Sequence, residues 1–494
     1  TGLTNLVGSG SGNFRYNSNA SSTGYNSTAA ALGAGTYAVY REQPIFTVTA
    51  NNVSSTYGSS PSVNVTNSTV NGDTLSQIYG SGNEPTTSID GNTSSAGFYT
   101  AGTHNISFTS ANANILGYAS PTLTNGTLTV DQATLTVTGT QVANTTYNNS
   151  TVASFSNNGS LTGVLSNATS SVSDGVTVIA SGNFSSKNAG NNLSVAMTST
   201  LTGDDAANYV LTQETGITGN ITPKNVTLSL GNVSKVYSGN TSYTADATDL
   251  SSLSSLLGVA GDSVTGITLS YNNKNVGTGK TLSASAANIS SGNGNYNISY
   301  TDTTDSAITR LSSVTWTGGA TGNWFDAGNW AGGAVPDLSN VETVIIPTGV
   351  SATFGNASAS AVNITGLQAS AATLYQANGT LNIGSGGVTL NNFTQASGNL
   401  SSTGDMSVSI LSGTGGNITI GTGSVLNVTQ AANTTYAGKI IGGGSFFKAG
   451  TGTLTLSGAN TFTGGANISA GKVIAGNSNP SSSFDDSLAV YVND

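Results

Sequence analysis

Apolar and polar residues alternate one by one through most of this chain, in short runs separated by Gly, Asn and Ser. GTLTVDQATLTVTG, from Gly126, and TGTLTLSG, from Thr451, are two of many such runs. A period of two puts every second side chain on one face of an extended strand, so each run predicts a half-buried β-strand. Between about residues 44 and 311 the runs are grouped. Three similar phrases, VTANNVSSTYG from Val48, LTVTGTQVANTTYN from Leu135 and VTLSLGNVSKVYSG from Val226, place Tyr57, Tyr147 and Tyr237 at one spacing of 90 residues. From about Ser351 onward the strands are shorter and recur every 8–12 residues or so, as in GNITIGTGSVLNVTQ. The first pattern predicts repeated β modules, and the second predicts the coils of a solenoid. The expected fold is all-β: tandem small β-sandwich-like modules followed by a C-terminal parallel β-helix-like solenoid.

Further landmarks recur inside each 90-residue unit. A glycine follows the tyrosine by 40–45 residues (Gly102, Gly190, Gly277), and a second tyrosine follows it by about 60 (Tyr118, Tyr209, Tyr296). The glycines permit tight turns, the aromatic pairs are expected to fill each module's core, and each closing strand runs directly into the next module. The expected division is 1–44, an N-terminal cap, linker or exchanged strand; 45–131, 132–224 and 225–311, three modules; 312–354, a Trp-rich junction; and 355–494, the solenoid. At these landmarks the repeats resemble the MBG and YDG modules of large bacterial surface proteins. The first is closest to MBG in VTANNVSSTYG, VNGDTL and NISF. The second and third are closest to YDG in KVYSGNTSYTA, FSSKNAG, KNVGTGK and LTGDDAANYVLT. The third has SGN after its tyrosine where the family name implies DG. The segment from Gly442 to Gly476 resembles the autotransporter-associated β-strand repeat. Together these imply a bacterial surface adhesin that is autotransporter-like or secreted by a two-partner system. The polar tail, without a membrane barrel, fits the latter, or a trimmed product of either.

Composition agrees with an extracellular setting. Charged residues are 6% of the 494, against about 25% in ordinary soluble domains. Hydrophobic residues still make up 36%, enough for strands with a buried face. There is no cysteine, so stability must come from strand pairing and stacking rather than disulfides. A net charge of -10 argues against nucleic acid and anionic membranes as partners. No apolar run approaches the roughly 20 residues that a membrane helix needs. The chain begins at Thr1 without a basic, apolar leader, as expected of a processed product or a piece of something larger.

Two sets of residues carry candidate chemistry. Roughly half of the asparagines lie in N-x-S/T sequons, more than composition alone gives. Asn19, Asn26, Asn52, Asn64, Asn105, Asn144, Asn149, Asn232, Asn297, Asn417, Asn427 and Asn467 are the candidate glycosylation sites. Glycans there would supply the solvation that missing charge does not, though abundant Asn, Ser and Thr in alternating strands also generate sequons. Trp316, Trp324 and Trp330 lie within one strand-turn-strand length. They suggest either sugar stacking on exposed indoles or a staple at a domain junction.

Enzyme-like constellations are scarce. His104 is the only histidine and reads as an ordinary strand position. With one His and no Cys, no zinc site is expected. The acidic pairs Asp204–Asp205, Asp302 and Asp305, and Asp485–Asp486 lack EF-hand or nonapeptide calcium spacing, and Asp204–Asp205 read as turn residues. Lys187, Lys235 and Lys274 are candidates for intramolecular isopeptide bonds. No catalytic residue, cofactor or metal is expected. The expected function is that of an extracellular structural or adhesive protein: an adhesin stalk or self-assembling fibre subunit, in attachment or biofilm matrix. Its partners would be other copies of itself, host-surface or matrix glycans and proteins, and an outer-membrane secretion partner. The alternative is a polysaccharide-binding or carbohydrate-active β-helix protein.

Overall fold

A computed structural model describes residues 2–18, 32, 34–109, 115–355, 360–475 and 490–492. These form two compact units, residues 1–224 and 225–494. The fold is all-β, with a C-terminal solenoid of parallel strands.

In the first unit, one topology is built twice. Strands Val65–Asn67, Thr47–Ala50 and Thr122–Thr124 make a three-stranded sheet. Val53–Thr56, Gly126–Asp131, Gly102–Phe108 and Thr87–Asp90 make a four-stranded one. The same order returns in Ser160–Thr162, Ala133–Thr138 and Tyr209–Thr212, and in Thr145–Thr146, Thr218–Thr222, Gly190–Met197 and Gly182–Phe184. Alternation along Thr47–Ala50 and Gly126–Asp131 turns Val48, Leu128 and Val130 into the core, as a period of two requires. The opening and closing strands of each module lie side by side and parallel, Val53 beside Leu128 and Thr145 beside Ile221. The tyrosine amide is bonded to the last carbonyl of the module, Tyr57 to Asp131 at 2.8 Å and Tyr147 to Thr222 at 2.9 Å. Each landmark tyrosine therefore stands at the exit of its module.

Residues 2–18 and 34–44 add an abridged version of this edge. Phe14–Arg15 pairs in parallel with Ala38–Val39, and Phe14, Tyr16 and Ala38 are buried with Phe46, Ile78, Leu116 and Tyr118.

The second unit opens with a third copy, residues 225–228 beside Tyr296–Tyr300, and the sheet Ser234–Val236, Thr303–Thr309, Gly277–Ile289, Val264–Tyr271 and Ser242–Tyr243. It also holds a helix, Ala247–Leu257, which strand periodicity did not predict. Asp246 caps it by accepting from the amides of Thr248 and Asp249, and Gly258 ends it in a left-handed conformation. Leu253 and Leu257 are its buried face.

The solenoid has three strand faces. One runs from Leu311–Thr315 through Val341–Ile345 to Ala466–Ile468. A second runs from Thr321–Asn323 through Ser351–Phe354 to Lys472–Ala475. The third starts with residues 362–364 and ends at Thr461–Phe462. Segment 312–354, expected as a junction ahead of the solenoid, thus supplies its first rungs. Inward residues such as Leu374, Phe393 and Leu411 are 0% exposed. At one corner Gln376 and Gln395 stack inside, Gln395 Nε2 donating to Gln376 Oε1 at 3.1 Å and Tyr436 Oη to Gln395 Oε1 at 2.5 Å. Both amides also bond turn carbonyls, of Gly379 and Gly398, each of which accepts a backbone amide as well, so the buried glutamine N–H groups are themselves satisfied.

Candidate functional site: tyrosine–carboxylate junctions

Because Tyr57 and Tyr237 stand at a module's exit, their hydroxyls meet the next module or element rather than their own core. Tyr57 packs edge-to-face on Tyr209 of the following module, with ring centroids 5.2 Å apart. Both hydroxyls donate to one oxygen of the buried Asp174, at 2.5 and 2.6 Å. The other Asp174 oxygen accepts the Ala96 amide at 3.1 Å. The expectation that the two landmark tyrosines of one module pair in its core is therefore corrected: the pair straddles two modules. The LTGDDAANYVLT segment is the docking edge. Asp205 accepts from the Ser95 amide at 3.2 Å and from its own module's Gly175 amide at 2.8 Å. Asn208 accepts from Ala101 at 2.8 Å. Two side chains of one turn, Asp205 and Asn208, thereby bind a loop of the preceding module.

The same device recurs at the N-terminal edge. Tyr16 and Tyr118 pack edge-to-face with centroids 4.7 Å apart and both reach Asp73 Oδ2, at 2.9 and 2.8 Å. In the second unit Tyr296 donates to Asp262 at 2.6 Å. Tyr237 donates to Asp337 at 3.2 Å in the loop before the strand Val341–Ile345. There Lys274 takes the place of the second tyrosine, 3.0 Å from Asp337, and Asn340 joins Asp337 to Asn275.

The electrostatics follow from burial. Desolvation and the adjacent carboxylate push the Tyr57 and Tyr209 hydroxyls well above their ordinary pKa, and Tyr16 up to about 12. Each phenol therefore stays a donor at any physiological pH. The two carboxylates differ. Burial raises Asp73, whose second oxygen has no hydrogen-bond partner. At Asp174 burial acts in the same sense, but hydrogen bonds from Tyr209, Tyr57 and the Ala96 amide outweigh it and lower the pKa.

A glycine one or two residues after the tyrosine is constrained as well. Gly58 and Gly239 have φ of 88° and 77°. A Cβ on Gly58 would lie 2.2 Å from Leu165, and one on Gly239 2.1 Å from the Gly333 carbonyl. Glycine is required there by backbone hand and by contact with the next element.

The tryptophans are buried, at 2%, 0% and 2% exposure for Trp316, Trp324 and Trp330. Trp330 packs edge-to-face on both others, with centroids 5.1 and 5.0 Å apart, and Trp324 lies against Phe354. Trp324 Nε1 donates to the Pro336 carbonyl at 2.9 Å. Their faces are covered, so sugar stacking on exposed indoles does not describe this cluster; it closes the first rungs of the solenoid.

Of the sequon asparagines, Asn52, Asn64, Asn105, Asn144, Asn232, Asn297 and Asn467 are exposed, whereas Asn149, Asn417 and Asn427 are half-buried. Asn19 and Asn26 lie outside the described residues. His104 is buried in strand Gly102–Phe108, its Nε2 2.6 Å from the Thr100 carbonyl. Lys235 Nζ is held by Ser238, Asn240 and Ser242. Among the described residues no cluster of His, Cys, Asp or Glu is arranged to hold a metal, and no helix is long and apolar enough to cross a membrane.

Known proteins share parts of this chain. The YDG domain matches residues 131–216 and 222–305, and the passenger-associated-transport-repeat matches residues 446–475. A stretch of 59 residues, 12% of the chain, is 46% identical to the "Adhesin BmaC autotransporter" of Brucella suis biovar 1 (strain 1330). That match spans only 2% of the adhesin's length. Two stretches of the chain thus match the YDG domain and one the passenger-associated-transport-repeat, and a short stretch is similar to an autotransporter adhesin.

Proposed function

We propose that this chain is an extracellular scaffold of a bacterial cell-surface adhesin, non-enzymatic and built to carry load. The observation that carries this reading is the repeated tyrosine–carboxylate junction, in which the opening tyrosine of one module is bound by the turn and carboxylate of the next. Backbone pairing between opening and closing strands adds a second link, since hydrogen bonds along strands resist extension. The similarity to an autotransporter adhesin and the passenger-associated repeat support a surface location and an outer-membrane secretion partner. MBG-like character in residues 45–131, secretion by a two-partner route, fibre or biofilm assembly, and the division at 44, 131, 224 and 311 belong to this proposal. So do glycans on the exposed sequon asparagines, where a sugar meets no packed neighbour. Intact mass of protein from the native host tests those glycans: a mass equal to the bare polypeptide contradicts them.

Adhesion is tested by coating beads with the full chain and counting those retained under flow on host-matrix and polysaccharide surfaces. Retention above that of beads coated with an unrelated protein of equal charge is expected. Retention equal to that control contradicts the adhesive reading.

A further inference from the structure

The second face of the solenoid carries an unbroken outward row of side chains. Register places Asn323 beside Thr353, Thr353 beside Tyr375, Tyr375 beside Thr394 and Thr394 beside Ser412. Gly413 opposite Tyr436 sets Ser412 beside Thr435, which faces Thr455. Every rung from Thr353 to Thr455 thus presents a hydroxyl. Thr394 and Ser412 are already bonded, Oγ1 to Oγ at 3.0 Å. The inward neighbours Leu374, Phe393, Leu411 and Leu454 are 0% exposed, so the row sits on a packed support. Its middle is concave: a groove of about 500 Å³ is lined by Tyr375, Thr394, Gln395, Ser412 and Thr435, with no charged residue among its lining. Tyr375 is 38% exposed, the one exposed aromatic of the solenoid among the described residues.

We propose that this groove binds a neutral, extended β-1,4-linked polysaccharide lying across the rungs. An aromatic face beside a row of hydroxyls suits a sugar ring, whose C–H face stacks on an aromatic while its hydroxyls exchange hydrogen bonds. The absence of charge in the lining excludes a requirement for uronate or sulfate. Parallel rungs repeat at about 4.8 Å, close to the advance of one sugar along an extended β-linked chain, so successive rungs meet successive sugars. Many weak contacts in one direction then add through multivalency. This site deepens the adhesive reading and rests on it.

The test is affinity electrophoresis of the full chain through native gels containing hydroxyethylcellulose, galactomannan or anionic carboxymethylcellulose. Retardation by a neutral polymer is expected, with at least a ten-fold weaker apparent affinity for Tyr375→Ala and near-wild-type affinity for Tyr375→Phe, which keeps the ring. Tyr375 is exposed, so the alanine variant is expected to keep the thermal midpoint of the wild type. A Thr394→Val variant, isosteric but lacking the hydroxyl, is expected to weaken binding by a smaller factor. No retardation by either neutral polymer, retardation by the anionic polymer alone, or retardation unchanged by Tyr375→Ala would overturn the proposal. Bead retention on matrix proteins, measured in parallel, separates this failure from failure of adhesion itself: beads that still adhere leave only the groove refuted.

Discussion

The single aspartates between modules do more than the paired ones that attract attention in the sequence. Asp174 accepts two phenolic hydrogen bonds and one amide hydrogen bond in a buried setting. Asp174→Asn presents an NH2 to one of these donors, and leaving a buried donor unmet costs about 1–3 kcal/mol. A loss of about 2–3 kcal/mol is therefore expected in denaturant unfolding of the first unit. Asp73→Asn is expected to change stability by less than about 1 kcal/mol, because one Asp73 oxygen has no partner to lose. The pH dependences should be opposite. Asp174 has a lowered pKa in the folded state, so its stabilisation is present above the ordinary carboxylate range and is lost as pH falls through the folded value. Asp73 has a raised pKa, so folding is favoured while it is protonated and stability falls as pH rises through its folded value. Thermal midpoints between about pH 3 and 7 for the two Asn variants check this: Asp174→Asn should remove an acid-side loss, and Asp73→Asn should remove a loss on raising pH. The tyrosines were legible in the sequence because a large aromatic recurring every 90 residues stands out. Their carboxylate partners were not, because Asp73 and Asp174 are 101 residues apart in chain order, and each contacts tyrosines far from it in sequence, from two different segments of the chain. The scarcity of acidic residues was the available signal: with only 21 Asp and Glu in the chain, each lone aspartate before a strand was worth a reason.

At the scale of elements, strand alternation reported the architecture well. Period-two runs became strands, and the short Gly-punctuated runs became parallel rungs. The helix Ala247–Leu257 escaped because its Ser-rich polar positions resemble a loop, although Asp246 and Gly258 mark its ends and Leu250, Leu253 and Leu257 follow a helical spacing. Asp246→Ala is expected to cost about 1 kcal/mol, read as a lower midpoint in denaturant unfolding of the full chain. The solenoid's inner glutamines were also invisible, since a Gln in a strand is ordinarily a surface residue. Gln395→Leu would strand the Gln376 oxygen and the Tyr436 hydroxyl, and would remove the side-chain bonds to the carbonyls of Gly398 and Asn417. A loss of about 2–4 kcal/mol is expected, and hydrogen exchange should rise at rungs 376–380 and 395–399 first. Unchanged protection there would mean that apolar packing alone sets the register of the coils. The tryptophan segment shows the limit of motif reading: indole clusters occur both as sugar platforms and as plugs, and only burial separates the two.

For the molecule as a whole, repetition supports the proposed load-bearing role. The exit tyrosine, the left-handed Gly58 or Gly239 and the carboxylate of the following element recur as a set at Tyr57 and Tyr237, so these two modules are incomplete without the element that follows. Residues 2–18 and 34–44 supply that completion for the module that follows, through Phe14, Tyr16 and Ala38. Removing them would uncover Phe46 and Tyr118, and with large buried side chains worth about 1.5–3 kcal/mol each the first unit should lose several kcal/mol of stability. Loss of polymers with no loss of monomer stability would instead point to strand exchange between copies. The central claim is that the junctions bear load, and the direct measurement is single-molecule stretching of the full chain held at its ends, comparing wild type with Asp174→Asn. Lower force for the steps that release residues 47–131 and 133–222, with solenoid steps unchanged, is the result expected. Equal forces in the two proteins would contradict it and leave the tyrosine–carboxylate junctions as spacers that carry none of the tension.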